Sequence, residues 1–416
     1  MLCLRCPETG TTYPASRVDF RGPTGVPLDV HFTPASVSRT QLDARLGRMP
    51  APLDSGVWRY HELVQPDLPL DAVVSRPEGN TPLIDDPHVA AWAGLPGLRL
   101  KHEGMNPTGS FKDRGMTVAV SMAKQVGARA VVCASTGNTS AAVAAYAARA
   151  GMRAIILVPE GQTALGKLGQ AIAYGARTLV VRGDFDDAMR LVQSAASDLG
   201  LYLLNSLNPF RVMGQTTIIY ELLQQLAWDP PDVIVFPAGN LGNTAAFGRA
   251  LRTAASIGLI DRVPRLIAVQ AEGASPFAKA FARGFDRLDP ERADTLATAI
   301  RIGDPVSYQR AIASIRETNG LVMSVSDREI LEAKMAIDAA GVGAEPASCA
   351  PVAGLRKLVT SGALPANTRA VAILTGNLLK DPDVILAMHR GEHGALAGRN
   401  PPMTIDATLA AIEAVI

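Results

Sequence analysis

The chain carries almost no net charge. Its 40 lysines and arginines stand against 39 aspartates and glutamates, for a balance of +1. Such a balance argues against nucleic acid or an anionic membrane surface as a partner. No apolar run reaches the length of a bilayer-spanning helix, and no basic segment followed by an apolar core opens the chain. A cytoplasmic chain with no membrane partner is expected. Cysteine is scarce too, with four residues, and these suggest no disulfide framework. Cys133 and Cys349 sit in apolar or small-residue runs and read as core positions. Cys3 and Cys6 form one C-x-x-C knuckle, but a closed zinc site needs four ligands. His31 offers a third and nothing marks a fourth, so no metal is expected and the segment reads as a remnant ribbon. Internal repeats, low-complexity segments, a Walker A loop and a G-x-G-x-x-G fingerprint are all missing, which removes solenoid and nucleotide-binding readings.

What the chain does have is bulk and alternation. Its 416 residues are 48% hydrophobic, enough for large cores and two domains. Residues 1–80 are rich in turns, such as Arg21-Gly22-Pro23-Thr24-Gly25, and read as an extended arm with small strands. The turn cluster Pro77-Glu78-Gly79-Asn80-Thr81-Pro82-Leu83 leads into the main body. From Leu98 onward, continuous apolar strands alternate with helices, among them a helix opened by Asp184 and one expected over 214–228. That pattern means parallel sheets covered on both faces. So many units favour two α/β lobes with a cleft between them, the larger built from 81–117 and 206–416, the smaller from 118–205.

In such sheets ligands bind where strands end and helices begin. Asn106-Pro107-Thr108-Gly109-Ser110-Phe111-Lys112-Asp113-Arg114-Gly115 lies at one such junction. Pro107 and Gly109 make a turn, Ser110 can cap the helix, and Lys112 falls in its first turn. The positive end of a helix pushes a lysine towards its neutral amine, the form that attacks carbonyls. A lysine taken singly is an ordinary surface group, so the other junctions matter. Ser135-Thr136-Gly137-Asn138-Thr139-Ser140 offers hydroxyls, an amide and helix-start N–H groups, a cradle for a carboxylate. Gly239-Asn240-Leu241-Gly242-Asn243-Thr244 lets the backbone approach an anion at a helix start. Thr375-Gly376-Asn377 ends the last strand with a neutral hydroxyl. Lys167, Ser206 and Arg211 are spread basic and polar groups, arginine being suited to bidentate binding of phosphate. Each of these alone could be a capped loop, a turn or a solvated side chain.

Together, in this order and spacing, they resemble threonine synthase, a pyridoxal-phosphate enzyme of the fold type II (tryptophan synthase β) group. The resemblance runs from about Arg76 to the end. It implies a two-lobed α/β fold with parallel-type sheets flanked by helices and pyridoxal 5′-phosphate in the interdomain cleft. It also implies a homodimer. By position, Lys112 matches the lysine that carries the cofactor, Asn138 the residue on its 3′-oxygen, and Thr375 the hydroxyl facing the pyridine nitrogen. Gly239, Asn240, Leu241, Gly242 and Asn243 match the loop for the cofactor phosphate. Ser135, Thr136, Asn138 and Thr139 match the substrate-carboxylate loop. Lys167, Ser206, Arg211 and Asn240 match the pocket for the substrate's own phosphate. The implied reaction turns O-phospho-L-homoserine and water into L-threonine and phosphate by γ-elimination and β-addition, with Lys112 moving the protons. Two positions depart from the pattern: Met213 stands where an acidic residue is common, and Thr216 where a lysine is. These departures bear on the substrate. The alternatives are β-replacement on O-phospho-L-serine (a cysteate synthase-like reaction), a serine or threonine dehydratase, and a catalytically silent binding module.

Overall fold

The computed structural model describes residues 2–161, 165–183 and 185–416, and the side chains of residues 165–167, 185 and 186 lie outside the described part. Asp184 therefore also lies outside it, as does the side chain of Lys167. The arm forms three short antiparallel strands, β1 (Cys3–Arg5), β2 (Thr12–Pro14) and β3 (Asp29–His31), with β1 in the middle. Cys3 pairs with His31 across β1 and β3, and the described residues contain no group of three or more potential metal ligands. The arm is not merely extended. A helix, Arg39–Arg45, starts at a capping box in which Ser38 and Gln41 bond each other's backbone. It is too short for hydrophobic periodicity to announce it.

Ten further strands follow: β4 (Leu83–Asp85), β5 (Leu98–His102), β6 (Ala130–Ala134), β7 (Arg153–Pro159), β8 (Arg177–Val181), β9 (Tyr202–Leu203), β10 (Val233–Pro237), β11 (Arg265–Ala271), β12 (Leu321–Val325) and β13 (Ala370–Leu374). They build two sheets. One has the order β12-β11-β10-β13-β5-β4 and is parallel except for β4, which runs against β5. The other, β8-β7-β6-β9, is wholly parallel. Every residue of β6, β10 and β13 is buried. Helices cover both faces of such strands, which is why they read as unbroken apolar runs.

The helix expected over 214–228 instead spans Pro209–Gln225. Asn208 caps it by accepting from the Phe210 N–H, and Pro209 occupies the first turn, where its missing N–H costs nothing. Arg211 thereby enters a helix start rather than a loop. This helix crosses Lys112–Gln125 with almost no gap. A Cβ built on Gly214 would lie 1.8 Å from the Arg114 carbonyl oxygen, and one on Gly115 would lie 2.8 Å from that of Arg211.

Beside the crossing lies a buried cluster of charges. Arg114 Nε is 2.7 Å from Glu103 Oε2, and its Nη2 is 2.8 Å from Glu221 Oε1. Lys101 Nζ, from β5, lies 2.6 Å from the same Glu221 oxygen. Burial opposes ionisation, yet the cations hold Glu221 well below the usual carboxylate range. Buried charges without such partners would be strongly destabilising. The cluster ties the start of Lys112–Gln125 to β5 and to the helix Pro209–Gln225.

Candidate active site

Lys112 is the first residue of its helix, and the turn before it is stapled to the loop after β13. Gly109 adopts φ +84°, a left-handed conformation suited to glycine. The Phe111 N–H donates to the Thr375 carbonyl at 3.0 Å, and the Asn377 N–H donates to that of Gly109 at 2.9 Å. Asp113 closes the turn by accepting from the Thr108 N–H at 2.7 Å and from its hydroxyl at 2.6 Å. Burial pushes the Asp113 carboxyl up to about 7. The capping position belongs to Phe111, not Ser110, because the turn continues one residue further; Ser110 Oγ still accepts from the Lys112 N–H at 3.4 Å.

The Lys112 side chain is half-buried, with Nζ 4.3 Å from the centre of the Phe111 ring. Its pKa falls to about 7, chiefly through burial and then through the nearby Arg211 cation, with Glu345 opposing the shift. Arg211 is buried; its Nη1 donates to the Leu204 carbonyl at 3.0 Å, and its Nε has no partner. Burial also lowers the Arg211 pKa, to about 10. The sequence separates these two cations by 99 positions, and the helix crossing brings them together.

Ser135, Thr136, Asn138 and Thr139 stand half-buried between β6 and the helix Asn138–Arg149. The first N–H groups of that helix have no acceptor within it. Asn138 Nδ2 donates to both carboxylate oxygens of Glu345, at 3.2 and 3.0 Å. Gly239 to Asn243 connect β10 to the helix Gly242–Ser256. Within this loop Leu241 takes φ +63°, and Asn240 accepts through its side chain from the Val306 N–H at 3.2 Å. Asn243 Oδ1, Thr244 Oγ1 and Gln215 Oε1 are buried with no partner. A Cβ on Gly242 would lie 3.2 Å from Gln215 Oε1. Ser206 is half-buried just before the helix Pro209–Gln225, and Lys167 falls in the helix Leu165–Ala173. At the two departures from the family pattern, Met213 and Thr216 are both buried and Thr216 Oγ1 donates to the Met213 carbonyl at 2.5 Å, so no charge stands there.

Thr375 follows β13 and is buried, its hydroxyl 2.8 Å from Ser348 Oγ. Ser348 Oγ also accepts from the Gly376 N–H at 2.8 Å. Neither Ser348 nor Glu345 stood out in the sequence. The one available signal was Glu345-Pro346, an acidic residue and a proline that open the helix Pro346–Thr360.

The strand-to-helix junctions supply a half-buried lysine amine beside Arg211 and Glu345, a neutral hydroxyl after a central strand next to the lysine's turn, and polar groups left unpartnered at a helix-start loop. They can hold a phosphorylated aldehyde cofactor. Comparison with known proteins agrees. The family of pyridoxal-phosphate dependent enzymes matches residues 74–376, well over half the chain. Threonine synthase of Methanosarcina acetivorans is 42% identical over 100% of this chain and 99% of its own length. That of Methanocaldococcus jannaschii is 42% identical over 92% of this chain and 94% of its own. That of Synechocystis is 44% identical over 90% and 96%. Among solved structures, maize serine racemase superposes with a TM-score of 0.65 at 22% identity, over 81% of this chain and 97% of its own. Processed threonine deaminase isoform 2 of Solanum lycopersicum gives 0.62 at 22% identity, over 72% and 84%. These two likenesses speak to the fold alone. The cofactor is pyridoxal phosphate, and the chain belongs to the threonine synthases within the pyridoxal-phosphate dependent enzymes.

Proposed function

We propose that the protein converts O-phospho-L-homoserine and water into L-threonine and phosphate. The observation that carries the reading is the pairing of a Lys112 amine held near neutrality with a buried Arg211 whose Nε lacks a partner. Bound pyridoxal phosphate supplies the electron sink. Lys112 holds it and then serves as the single base. Its Nζ takes the substrate's Cα proton and later a Cβ proton, so that phosphate leaves Cγ; a proton is then delivered to Cγ, which becomes the methyl group, water adds at Cβ, and a proton returns to Cα. A base that both gives and takes protons works best with a pKa near the working pH, and about 7 suits this.

Backbone N–H groups of Gly239 to Asn243, with Asn243 and Thr244 at the helix start, form the cradle for the cofactor phosphate. Asn138 would hold the 3′-oxygen. Thr375 would offer the pyridine nitrogen a hydroxyl that cannot enforce protonation. Ser348 already accepts from the Gly376 N–H, so its own proton can go to Thr375 Oγ1. That direction leaves the Thr375 proton free to donate to the ring nitrogen. Ser135, Thr136 and Thr139 take the substrate carboxylate. Arg211, Ser206, Lys167 and Asn240 take the substrate phosphate.

The same reading assigns 1–80 as an arm, 81–117 with 206–416 as the cofactor domain, and 118–205 as the small domain. It places a homodimer in the cytoplasm. Among the described residues, no helix is long and apolar enough to cross a membrane.

The test offers purified protein O-phosphohomoserine and O-phosphoserine and measures phosphate release and amino-acid product. Threonine from the first substrate alone is expected; a product from O-phosphoserine would favour β-replacement instead. Arg211→Ala should lose roughly ten- to a hundred-fold in kcat/KM towards O-phosphohomoserine, the scale of one charged hydrogen bond, while its cofactor absorbance stays normal. A variant that loses cofactor, or works at the native rate, would show that the phosphate pocket lies elsewhere.

A further inference from the structure

Glu345 has no part in the proposed chemistry, yet it is a buried carboxylate at the centre of the site. It precedes the helix Pro346–Thr360, and its own N–H donates to the Gly376 carbonyl at 3.1 Å. Its carboxylate leans over Gly376 so closely that a Cβ there would lie 2.4 Å from Oε1. Gly376 is not in the left-handed region, so backbone freedom does not demand a glycine there. The carboxylate above it does.

From the start of the helix after β6, Asn138 Nδ2 reaches both Glu345 oxygens. Burial raises the Glu345 pKa above the ordinary carboxylate value; the Asn138 N–H, Lys380 and Lys112 oppose that rise and favour the ionised form, while Asp381 adds to it.

An amide nitrogen has two protons. Both Glu345 oxygens lie within 3.2 Å of a single nitrogen. One N–H can serve them together, and the second remains available. Without an acceptor, an asparagine at a loop-to-helix junction can turn its oxygen rather than its nitrogen into the cleft. A carboxylate removes that choice, because it can only accept while ionised.

We propose that Glu345 is a positioning residue that fixes the Asn138 amide with an N–H towards the cofactor's 3′-oxygen, and that Gly376 is a glycine to admit its carboxylate. The inference rests on the assignment of Lys112 and Asn138 to the cofactor.

The experiment measures cofactor dissociation constants by absorbance and fluorescence for the native chain, Glu345→Ala, Glu345→Gln, Asn138→Ala, the Glu345→Ala/Asn138→Ala double variant and Gly376→Ala. Far-UV circular dichroism and thermal unfolding of each cofactor-free protein show that it is folded. Glu345→Ala should weaken cofactor binding about ten-fold, as should Asn138→Ala. The double variant should bind no more weakly than Asn138→Ala alone, because Glu345 acts through that amide. Glu345→Gln keeps an acceptor and the packing, so it should return to within about five-fold of native. Gly376→Ala should reproduce Glu345→Ala. Native affinity in Glu345→Ala, or additive losses in the double variant, would overturn the proposal. A native chain without a lysine-bound cofactor band would instead sink the assignment of Lys112, which keeps the two failures apart.

Discussion

At the scale of single residues, Lys112 makes the sharpest statement about pH. Its folded pKa of about 7 lies below the ordinary 10.5, because burial and Arg211 disfavour the cation. Between those values the unfolded chain binds a proton that the folded chain does not. The Lys112 contribution to the stability of the cofactor-free protein therefore rises with pH across that window, and its penalty is complete below about 7. On the proposed assignment of Lys112, the same proton governs cofactor capture, since only the neutral amine attacks the aldehyde. The capture rate followed by stopped-flow absorbance should climb with pH to a half-maximal value near 7, and Arg211→Ala should move that midpoint upward. A native midpoint close to 10 would mean that neither burial nor Arg211 governs the amine. Lys112 was legible in the sequence because its turn and helix start are local. Its coupling to Arg211 was not, since it depends on where two helices cross.

At the scale of elements, the crossing of Lys112–Gln125 and Pro209–Gln225 sets where both cations sit. Gly214 is the contact point, and its Cβ would fall 1.8 Å from a backbone oxygen that no rotamer change can move. Gly214→Ala should destabilise the fold by about 1–3 kcal/mol through overpacking, seen as a lower Tm in calorimetry. It should also weaken cofactor binding by displacing Lys112, whose helix it pushes away. An unchanged Tm would show that the helices separate freely. The loop proposed for the cofactor phosphate differs in kind. Gly242 has an ordinary φ and Leu241 carries the left-handed turn, so Gly242 matters for close approach alone. The central strands β6, β10 and β13 were readable because they are buried along their whole length. The earlier start of Pro209–Gln225 was readable too, in the Asn208-Pro209 pair. The cluster of Lys101, Glu103, Arg114 and Glu221 was not: Glu221 lies far along the chain from the other three, and charged residues ordinarily mean surface.

At the scale of the whole molecule, the arm is part of the machine's frame rather than an appendage. Leu4, Phe20, Leu28 and Trp58 belong to the same buried cluster as Val131, Ile156 and Ile219. Trp58 Nε1 donates to Thr117 Oγ1 at 2.8 Å, midway along the helix that begins with Lys112. Buried Glu78 accepts from the Tyr146 hydroxyl at 2.8 Å, which ties the arm to the helix behind Asn138. The turn-rich sequence hid this, because an arm without periodicity gives no sign of what it will pack against. Phe20 is the clearest case. Its ring meets Tyr202 edge-on at 5.5 Å and Phe210 at 6.3 Å, and Phe210 immediately precedes Arg211. The arm thus braces the start of the helix that holds the buried cation. Phe20→Ala should cost about 3–5 kcal/mol of stability, the usual range for removing a buried aromatic ring. Its functional mark should fall on Arg211. The KM for O-phosphohomoserine should rise several-fold while the cofactor dissociation constant stays near native, because the cofactor loop hangs from β10 rather than from this helix start. Equal weakening of substrate and cofactor would show that Phe20 supports the lobe as a whole, and an unchanged KM would show that Arg211 needs no brace.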